Sequence, residues 1–271
     1  MIKQAIIPLA GLGTRLLPLT SVFAKELLPI NGKPGIEYIL EECIEAGIKE
    51  VIFIISKKKL MIKKYFYNDK FYKDIIKRKK DPRIINEYKK ILKYKKMIKF
   101  VFQDKPLGTG DAVLKTKKFI KDKYFLMLLP DDLIIKKNCS KSMITIHNKF
   151  NLPVMASMKV NKSDVSRWGI YDIKKKIDNI NFIIKGVVEK PAIKQAPSTN
   201  AVIGRYILPK TIFSKLLNLK PSKGGEIHVT DAIQSLINDN NKFIGHNFSG
   251  TYLDCGTMSG YINSSLEISK K

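Results

Sequence analysis

The 271-residue sequence predicts an α/β fold with a mixed, mainly parallel central sheet flanked by helices. One observation is the strand–helix–strand pattern of residues 2–55, because such a unit joins two parallel strands by a right-handed crossover. Another is that the early apolar runs end in glycine or aspartate turns, as buried strands do when their carboxyl ends carry a ligand site. The strand-rich stretch after residue 154 predicts a smaller β-rich part.

The first unit begins with an apolar strand over residues 2–9. A helix is predicted over residues 34–46, because proline is accepted in a first helical turn, Ile36, Ile39 and Leu40 share one face, and Gly47 ends the pattern. Residues 51–55 form the second, buried strand.

The turn after the first strand has the sequence AGLGTR over residues 10–15, with Lys25 further along the same loop. Glycine has no Cβ, so backbone N–H groups can approach an anion, and Arg15 and Lys25 add fixed charge. This favours a nucleoside triphosphate site. The alternatives are a tight loop without a ligand and a dinucleotide fingerprint. The fingerprint's third glycine is missing, and Pro18 and Pro29 follow where it requires a helix.

Residues 57–99 form the most basic segment, with eighteen lysines and arginines against four acidic residues. Spaced apolar and aromatic residues predict two or three amphipathic helices, broken near Asp81-Pro82. The formal net charge of +26 suggests a phosphate-bearing partner such as nucleic acid, but only five of the 50 basic residues are arginine. We favour solvated lysines and expect no specific nucleic-acid partner.

Two further strands end in turns that carry candidate functional residues. The strand at 100–102 leads into Gln103 and the glycine turn 108–110, which we expect at the carboxyl end of a strand neighbouring the first. The strand at 124–129 ends at Pro130-Asp131-Asp132, where carboxylates could hold a hard cation or simply cap the next turn.

The second half of the chain predicts a helix from residue 142 and an exposed hairpin formed by 168–172 and 186–191. A strand follows at 200–206, a helix opens at 226–233, and a final helix runs through about residue 267. His147, His228 and His246 have no catalytic motif around them, so no Ser-His-Asp or Cys-His chemistry is indicated.

Composition indicates a globular chain without a membrane segment. No apolar run reaches the length of a membrane span, and the apolar start is too short for a signal peptide, so we expect a cytoplasmic protein. Cys43, Cys139 and Cys255 have no metal-like spacing and are expected to be small buried apolar residues.

Ten pieces of sequence, spread in order over almost the whole chain, resemble the sugar-nucleotide pyrophosphorylases, or nucleotidyltransferases, and most closely the bacterial UTP–glucose-1-phosphate uridylyltransferases. The pieces are AGLGTRLLPLT, KELLPINGKP, EYILEECIEAGI, LGTGDAVL, LPDD, WGIYD, GVVEKP, AVIGRYIL, GGEIHVTDAI and DCGTMSGY. The resemblance implies a Rossmann-like sheet in a single domain over 1–271. Residues 1–135 would mainly bind nucleotide, and 136–271 would mainly bind sugar phosphate and supply the C-terminal helix.

The resemblance also implies an activity, the transfer of a uridylyl group from UTP to α-D-glucose 1-phosphate with Mg²⁺ as cofactor. The sugar phosphate would attack the α-phosphorus in line and release pyrophosphate. No general base is required, because that phosphate is already ionised near pH 7. The alternatives are a related transfer with another base or sugar, such as dTTP, and a nucleic-acid-binding protein that uses segment 57–99.

Roles follow from the resemblance residue by residue. Those implied to act on the nucleotide are a backbone cradle (Ala10, Gly11, Gly13), triphosphate cations (Arg15, Lys25), a base-pocket border (Glu26) and readers of the uracil edge (Gln103, Gly108). Those implied for metal and sugar phosphate are Mg²⁺ ligands (Asp131, Asp254), sugar contacts (Gly169, Glu189, Asn200) and a phosphate cation (Lys190). Arg15, Lys25, Asp131 and Lys190 would be the catalytic set.

The chain departs from the family pattern around the second glycine turn. Leu107, Thr109 and Asp111 stand where related enzymes commonly have lysine, leucine and histidine, which leaves UTP and dTTP as alternative substrates. Ala24 replaces a common proline but leaves Lys25 and Glu26 in place. We expect a homo-oligomer, either a dimer or a tetramer.

Overall fold

The computed structural model describes residues 2–222 and 224–270. Its strands are β1 (Gln4–Pro8), β2 (Pro29–Ile30), β3 (Lys33–Pro34), β4 (Glu50–Ile55), β5 (Ile98–Phe102), β6 (Tyr124–Leu128), β7 (Asp132–Ile135), β8 (Val154–Lys159), β9 (Gly169–Lys176), β10 (Asn181–Glu189), β11 (Asn200–Pro209), β12 (Ile244–Asn247) and β13 (Thr251–Asp254). Its helices are α1 (Gly35–Glu45), α2 (Leu60–Tyr67), α3 (Asp69–Lys79), α4 (Pro82–Met97), α5 (Gly108–Leu114), α6 (Cys139–Phe150), α7 (Ile212–Asn218), α8 (Val229–Asn238) and α9 (Met258–Ser269).

Nine of these strands form the central sheet, in the order β5-β4-β1-β6-β11-β8-β12-β10-β9. The first four are parallel, and only β11 and β10 run against the common direction. The predicted mixed, mainly parallel sheet is therefore confirmed. The expectation that the two glycine turns follow neighbouring strands is wrong, because β4 lies between β1 and β5.

The far end of the sheet curls back on itself. Strand β9 pairs with β10, where Gly169 lies opposite Glu189, and also with β11, where Ile170 lies opposite Ala201. Strands β11, β8, β12, β10 and β9 thus close into a ring, and the predicted hairpin is one side of it. Two short ribbons, β7 with β13 and β2 with β3, lie outside the main sheet.

Hydrophobic cores cover both faces of the sheet. Successive residues of a strand point to opposite faces, so Ile6 of β1 belongs to one core and Ile7 to the other. The Ile7 core contains residues of α1, α2, α4, α6 and α9, and the Ile6 core contains residues of α5, α7 and α8. All three cysteines are buried and free, as expected.

The basic segment forms the three helices α2, α3 and α4, as predicted. The break at residue 81 is a helix start, where the Asp81 carboxylate accepts from the Arg83 N–H at 2.8 Å and Pro82 occupies the first turn. Helix α3 has no buried residue, whereas α4 buries Ile91 and Tyr94. Among the described residues, none of the helices combines the length and apolar character that crossing a membrane requires.

The helix expected from residue 226 begins only at Val229. The Ile227 N–H donates to the Leu107 carbonyl at 2.8 Å, and the Ile227 carbonyl accepts from the Gly110 N–H at 2.7 Å. These bonds hold residues 226–228 in an extended conformation against the second glycine turn.

Candidate active site

A cavity of about 460 Å³ lies at the carboxyl ends of β1, β5 and β6. Of the residues expected from sequence to act on the nucleotide, all but Arg15 line this cavity, among them Ala10, Gly11, Gly13, Glu26, Gln103 and Gly108. Lys25 and Asp131 line it as well, together with Glu226, a residue that sequence reasoning did not select.

The first glycine turn forms an open wall of the cavity. Nothing among the described atoms lies within 4 Å of the position that a Cβ on Gly11 would occupy, so its backbone faces free space. Gly13 has a φ of +70°, in the left-handed region that favours glycine, and begins a 3-10 turn at Thr14–Leu16. Arg15 lies on that turn, is exposed, and is not part of the cavity lining.

Lys25 and Asp131 form an ion pair at the cavity, with 2.8 Å between Lys25 Nζ and Asp131 Oδ2. Burial alone would lower the pKa of Lys25, but Asp131 and Glu26 outweigh it and raise that pKa. Burial alone would raise the pKa of Asp131, but Lys25 and Arg15 outweigh it and hold that pKa below its ordinary value. Both groups are therefore charged at neutral pH.

Asp254 lies next to Asp131. The position that a Cβ on Gly256 would occupy is 2.9 Å from Asp131 Oδ2 and 3.1 Å from Asp254 Oδ1, so one small gap separates the two carboxylates. Among the described residues, no three His, Cys, Asp or Glu side chains cluster as a metal cage. Two carboxylates that leave room for phosphate oxygens and water fit a hard cation such as Mg²⁺, which seldom uses an all-protein cage.

A buried arginine from β11 fixes the loop that carries Asp131. Arg205 is completely buried and donates to the carbonyls of Leu129 at 3.1 Å and Asp132 at 2.6 Å, on either side of Pro130-Asp131. Its charge is balanced by Glu42 of α1, with Nη2 to Oε2 at 2.9 Å. The position of Asp131 thus depends on a strand and a helix far from it in sequence.

The neighbouring Asp132 has a structural role. Its Oδ2 accepts from the Gly204 N–H and its Oδ1 from the Tyr252 hydroxyl, both at 2.7 Å. Burial and the nearby Asp131 charge raise the pKa of Asp132 to about 6. The sequence allowed the aspartate pair either to hold a cation or to cap a turn. Asp131 fits the cation site, whereas Asp132 anchors the start of β7 to β11 and β13.

A second buried pair supports the cavity wall. Lys59, on the turn after β4, places its Nζ 2.8 Å from both carboxylate oxygens of Glu26. Burial lowers the pKa of Lys59 despite the attraction of Glu26. The basic run around Lys59 predicts a solvated lysine, whereas the Lys59 side chain is 9% exposed.

The second glycine turn is shaped by packing and by one buried hydrogen-bond network. A Cβ on Gly108 would lie 2.5 Å from the Ile227 carbonyl oxygen, so only glycine fits there. The Gln103 amide donates from Nε2 to the Gly108 carbonyl at 3.0 Å and to Asp111 Oδ2 at 2.8 Å. Gln103 and Asp111 are 5% and 6% exposed.

The residues expected to bind sugar phosphate lie together at the ring end of the sheet, outside the 460 Å³ cavity. Glu189 Oε2 is 3.0 Å from the position of a Cβ on Gly169. Lys190 follows with a φ of +45°, and its N–H donates to the Trp168 carbonyl at 2.9 Å. The buried Asn200 Oδ1 has no hydrogen-bond partner among the described residues.

Comparisons with known proteins identify the family of the chain. The nucleotidyl transferase family matches residues 4–271. The UTP–glucose-1-phosphate uridylyltransferase of Mycoplasma pneumoniae is 35% identical over 98% of this chain and 91% of its own length, and enzyme 1 of that name from Staphylococcus saprophyticus is 35% identical over 100% and 93%.

The chain is also similar to solved structures of UDP-glucose pyrophosphorylases. A UDP-glucose pyrophosphorylase complexed with UDP-glucose has 34% identity and a TM-score of 0.86, covering 100% of this chain and 99% of its own. The UTP-bound enzyme from Acinetobacter baumannii has 33% identity and a TM-score of 0.90, covering 99% and 93%. With a family match over nearly its whole length and relatives that align from end to end, the chain belongs to the nucleotidyl transferase family.

Proposed function

We propose that the chain transfers a uridylyl group from UTP to α-D-glucose 1-phosphate, giving UDP-glucose and pyrophosphate. The observation that carries the proposal is the Lys25–Asp131 pair, which lines the nucleotide cavity while Asp254 lies beside it. Related proteins of the same family carry this activity in their names, and two solved relatives hold UTP or UDP-glucose.

The reaction requires one bond to form and one to break. An oxygen of the sugar phosphate attacks the α-phosphorus of UTP, and the bond from that phosphorus to the bridging oxygen of pyrophosphate breaks. Gly11 and its neighbours supply backbone N–H groups beside the triphosphate. Lys25, now held by Asp131, would turn to the phosphate oxygens, and Arg15 would reach them from the exposed turn.

Nucleotidyltransferases of this kind generally use a divalent metal, and we propose Mg²⁺, held by Asp131 and Asp254. The metal, when bound, supplies charge neutralisation and orientation for the triphosphate. No protein base is needed. Catalysis then depends on positioning and on electrostatic partners, each contributing on the order of a few kcal/mol.

On the sugar side, we propose that Glu189 accepts hydrogen bonds from glucose hydroxyls and that Lys190 pairs with the sugar phosphate. Gly169 would let the sugar approach the backbone. Asn200, which precedes the Ala201–Ile170 pair of β11 and β9, would make a further hydroxyl contact. The division into nucleotide-binding and sugar-binding halves at residue 135, the oligomeric state and the cytoplasmic location stay predictions. Light scattering would test the expected dimer or tetramer.

The test is pyrophosphate release from four nucleoside triphosphates with several sugar 1-phosphates, with and without Mg²⁺. We expect UTP and glucose 1-phosphate to give the highest kcat/KM, and chelation to abolish turnover. Release that is independent of the sugar phosphate, or a stronger preference for another nucleotide, would contradict the proposal.

A further inference from the structure

Asp111, one of three residues that depart from the family pattern around the second glycine turn, contacts the side chain of Gln103, which lines the cavity. Asp111 lies in the first turn of α5 and is buried, with Oδ2 2.8 Å from Gln103 Nε2. Its other oxygen lies 3.5 Å from Lys115 Nζ, one helical turn further on. The carboxylate is thus held from two sides, and its Oδ2 remains directed at Gln103.

This contact fixes which end of the Gln103 amide faces the cavity. Nε2 has two hydrogens, and both are used, by Asp111 and by the Gly108 carbonyl. If the amide turned over, its oxygen would meet two acceptors and no donor, which is unfavourable at a buried site. No described group donates to Gln103 Oε1, and Gln103 lines the cavity, so an acceptor oxygen is presented there.

We infer that Asp111 is a positioning residue that sets base selectivity by locking the Gln103 amide with its oxygen toward the base. This inference rests on the proposed function. An acceptor matches a base with an imino N–H, which uracil and thymine share. Cytosine has an unprotonated ring nitrogen at the same position and would place an acceptor against an acceptor. Among pyrimidine nucleotides, the contact therefore favours those whose base has an imino N–H, and it does not distinguish uracil from thymine.

The test is Asp111→Asn, assayed with UTP, dTTP and CTP at saturating glucose 1-phosphate. An asparagine amide can donate as well as accept, so one of the two acceptors that oppose a turned-over Gln103 amide is removed, while the Gly108 carbonyl still opposes it. We expect the UTP/CTP ratio of kcat/KM to fall about 10-fold or more, with kcat/KM for CTP itself rising. The UTP/dTTP ratio should stay within about 2-fold, because both bases present the same N–H.

The matched control is Asp104→Asn, which makes the same charge change on an exposed side chain of the same loop that faces Lys57 and is not one of the hydrogen-bond partners of the Gln103 amide. It should leave the UTP/CTP ratio unchanged. If Asp111→Asn melts at a much lower temperature, Asp111→Ser offers a smaller group that also donates and accepts, and the same shift is expected.

A UTP/CTP ratio that stays at the wild-type value in a folded variant that still uses UTP overturns this inference and leaves the proposed function intact. A parallel loss with all three nucleotides also overturns it, since that pattern indicates only damage to the site. A wild-type chain that releases no pyrophosphate with any nucleotide would instead overturn the proposed function.

Discussion

Replacing Arg205 by methionine should destabilise the protein strongly, because the arginine is the buried partner of Glu42. The substitution removes contacts of 3.1, 3.1 and 2.9 Å to the Glu42 carboxylate. It also removes the donors to the Leu129 and Asp132 carbonyls. Breaking one side of a buried ion pair typically costs about 3–5 kcal/mol, since the other charge stays buried. Ser140, which donates to Glu42 from its N–H and hydroxyl, offsets part of this loss.

We therefore expect the free energy of unfolding to fall by about 4 kcal/mol, a large share of the 5–15 kcal/mol typical of a folded protein. Urea unfolding, followed by the fluorescence of the single tryptophan, Trp168, measures it. Turnover should fall as well, because the backbone on both sides of Asp131 loses its anchor. Arg83→Met removes an exposed arginine–aspartate pair instead and should change stability little.

The double variant Glu42→Met/Arg205→Met completes a double-mutant cycle with the two single variants. Replacing both members of a buried pair by apolar residues is often near neutral, so the double variant should regain about half of the lost stability or more. The reasoning is refuted if Arg205→Met costs less than about 1 kcal/mol, or if the two substitutions simply add.

Four further results are expected. Asp131→Asn should lower turnover at least ~100-fold with little change in melting temperature. Asp122→Asn, at a partly exposed aspartate before β6, should keep wild-type turnover. Near-normal Mg²⁺-dependent turnover in Asp131→Asn would contradict the metal assignment. Lys190→Ala should raise the KM for glucose 1-phosphate more than that for UTP, and equal changes would count against its phosphate role. Burial lowers the pKa of His246 below its ordinary value of 6.5, so the unfolded chain binds more protons below that pH and the free energy of unfolding decreases as pH falls. Urea unfolding at pH 7.5 and 5.5 should therefore show a smaller decrease for His246→Gln than for wild type, and equal decreases would disprove the assignment. Any RNA or duplex binding by segment 57–99 should vanish by physiological ionic strength, and persistence there would indicate a genuine nucleic-acid site.

The elements and the cavity were predictable from sequence because they rest on local signals. Hydrophobic periodicity located the crossover helix α1 and the helices of the basic segment, and glycine and aspartate turns marked the carboxyl ends of β1, β5 and β6. Contacts between distant parts of the chain have no such signal. Glu42 and Arg205 are 163 positions apart, and nothing in either segment shows that they meet.

The sequence holds weaker signals for some of these buried groups. An arginine within the apolar run AVIGRYIL of β11 signals a buried charge that needs a partner, although it does not say which. Lys59 gave no comparable signal, since it belongs to a run of three lysines of which the structure buries only this one. The glycines at 108 and 110 suggested an anion site, whereas their first requirement is close packing against Ile227.

The closure of β9 onto β11 has a consequence for solubility. An exposed sheet edge offers unpaired N–H and C=O groups to other chains and invites aggregation. The pairing of Ile170 with Ala201 covers the start of β9, and β5 is the edge strand at the opposite end of the described sheet. It spans only Ile98–Phe102, and Lys99 within it forms an ion pair with Glu50 of β4. A short edge that carries an ion-paired lysine is a poor template for a foreign strand, which disfavours edge-to-edge association.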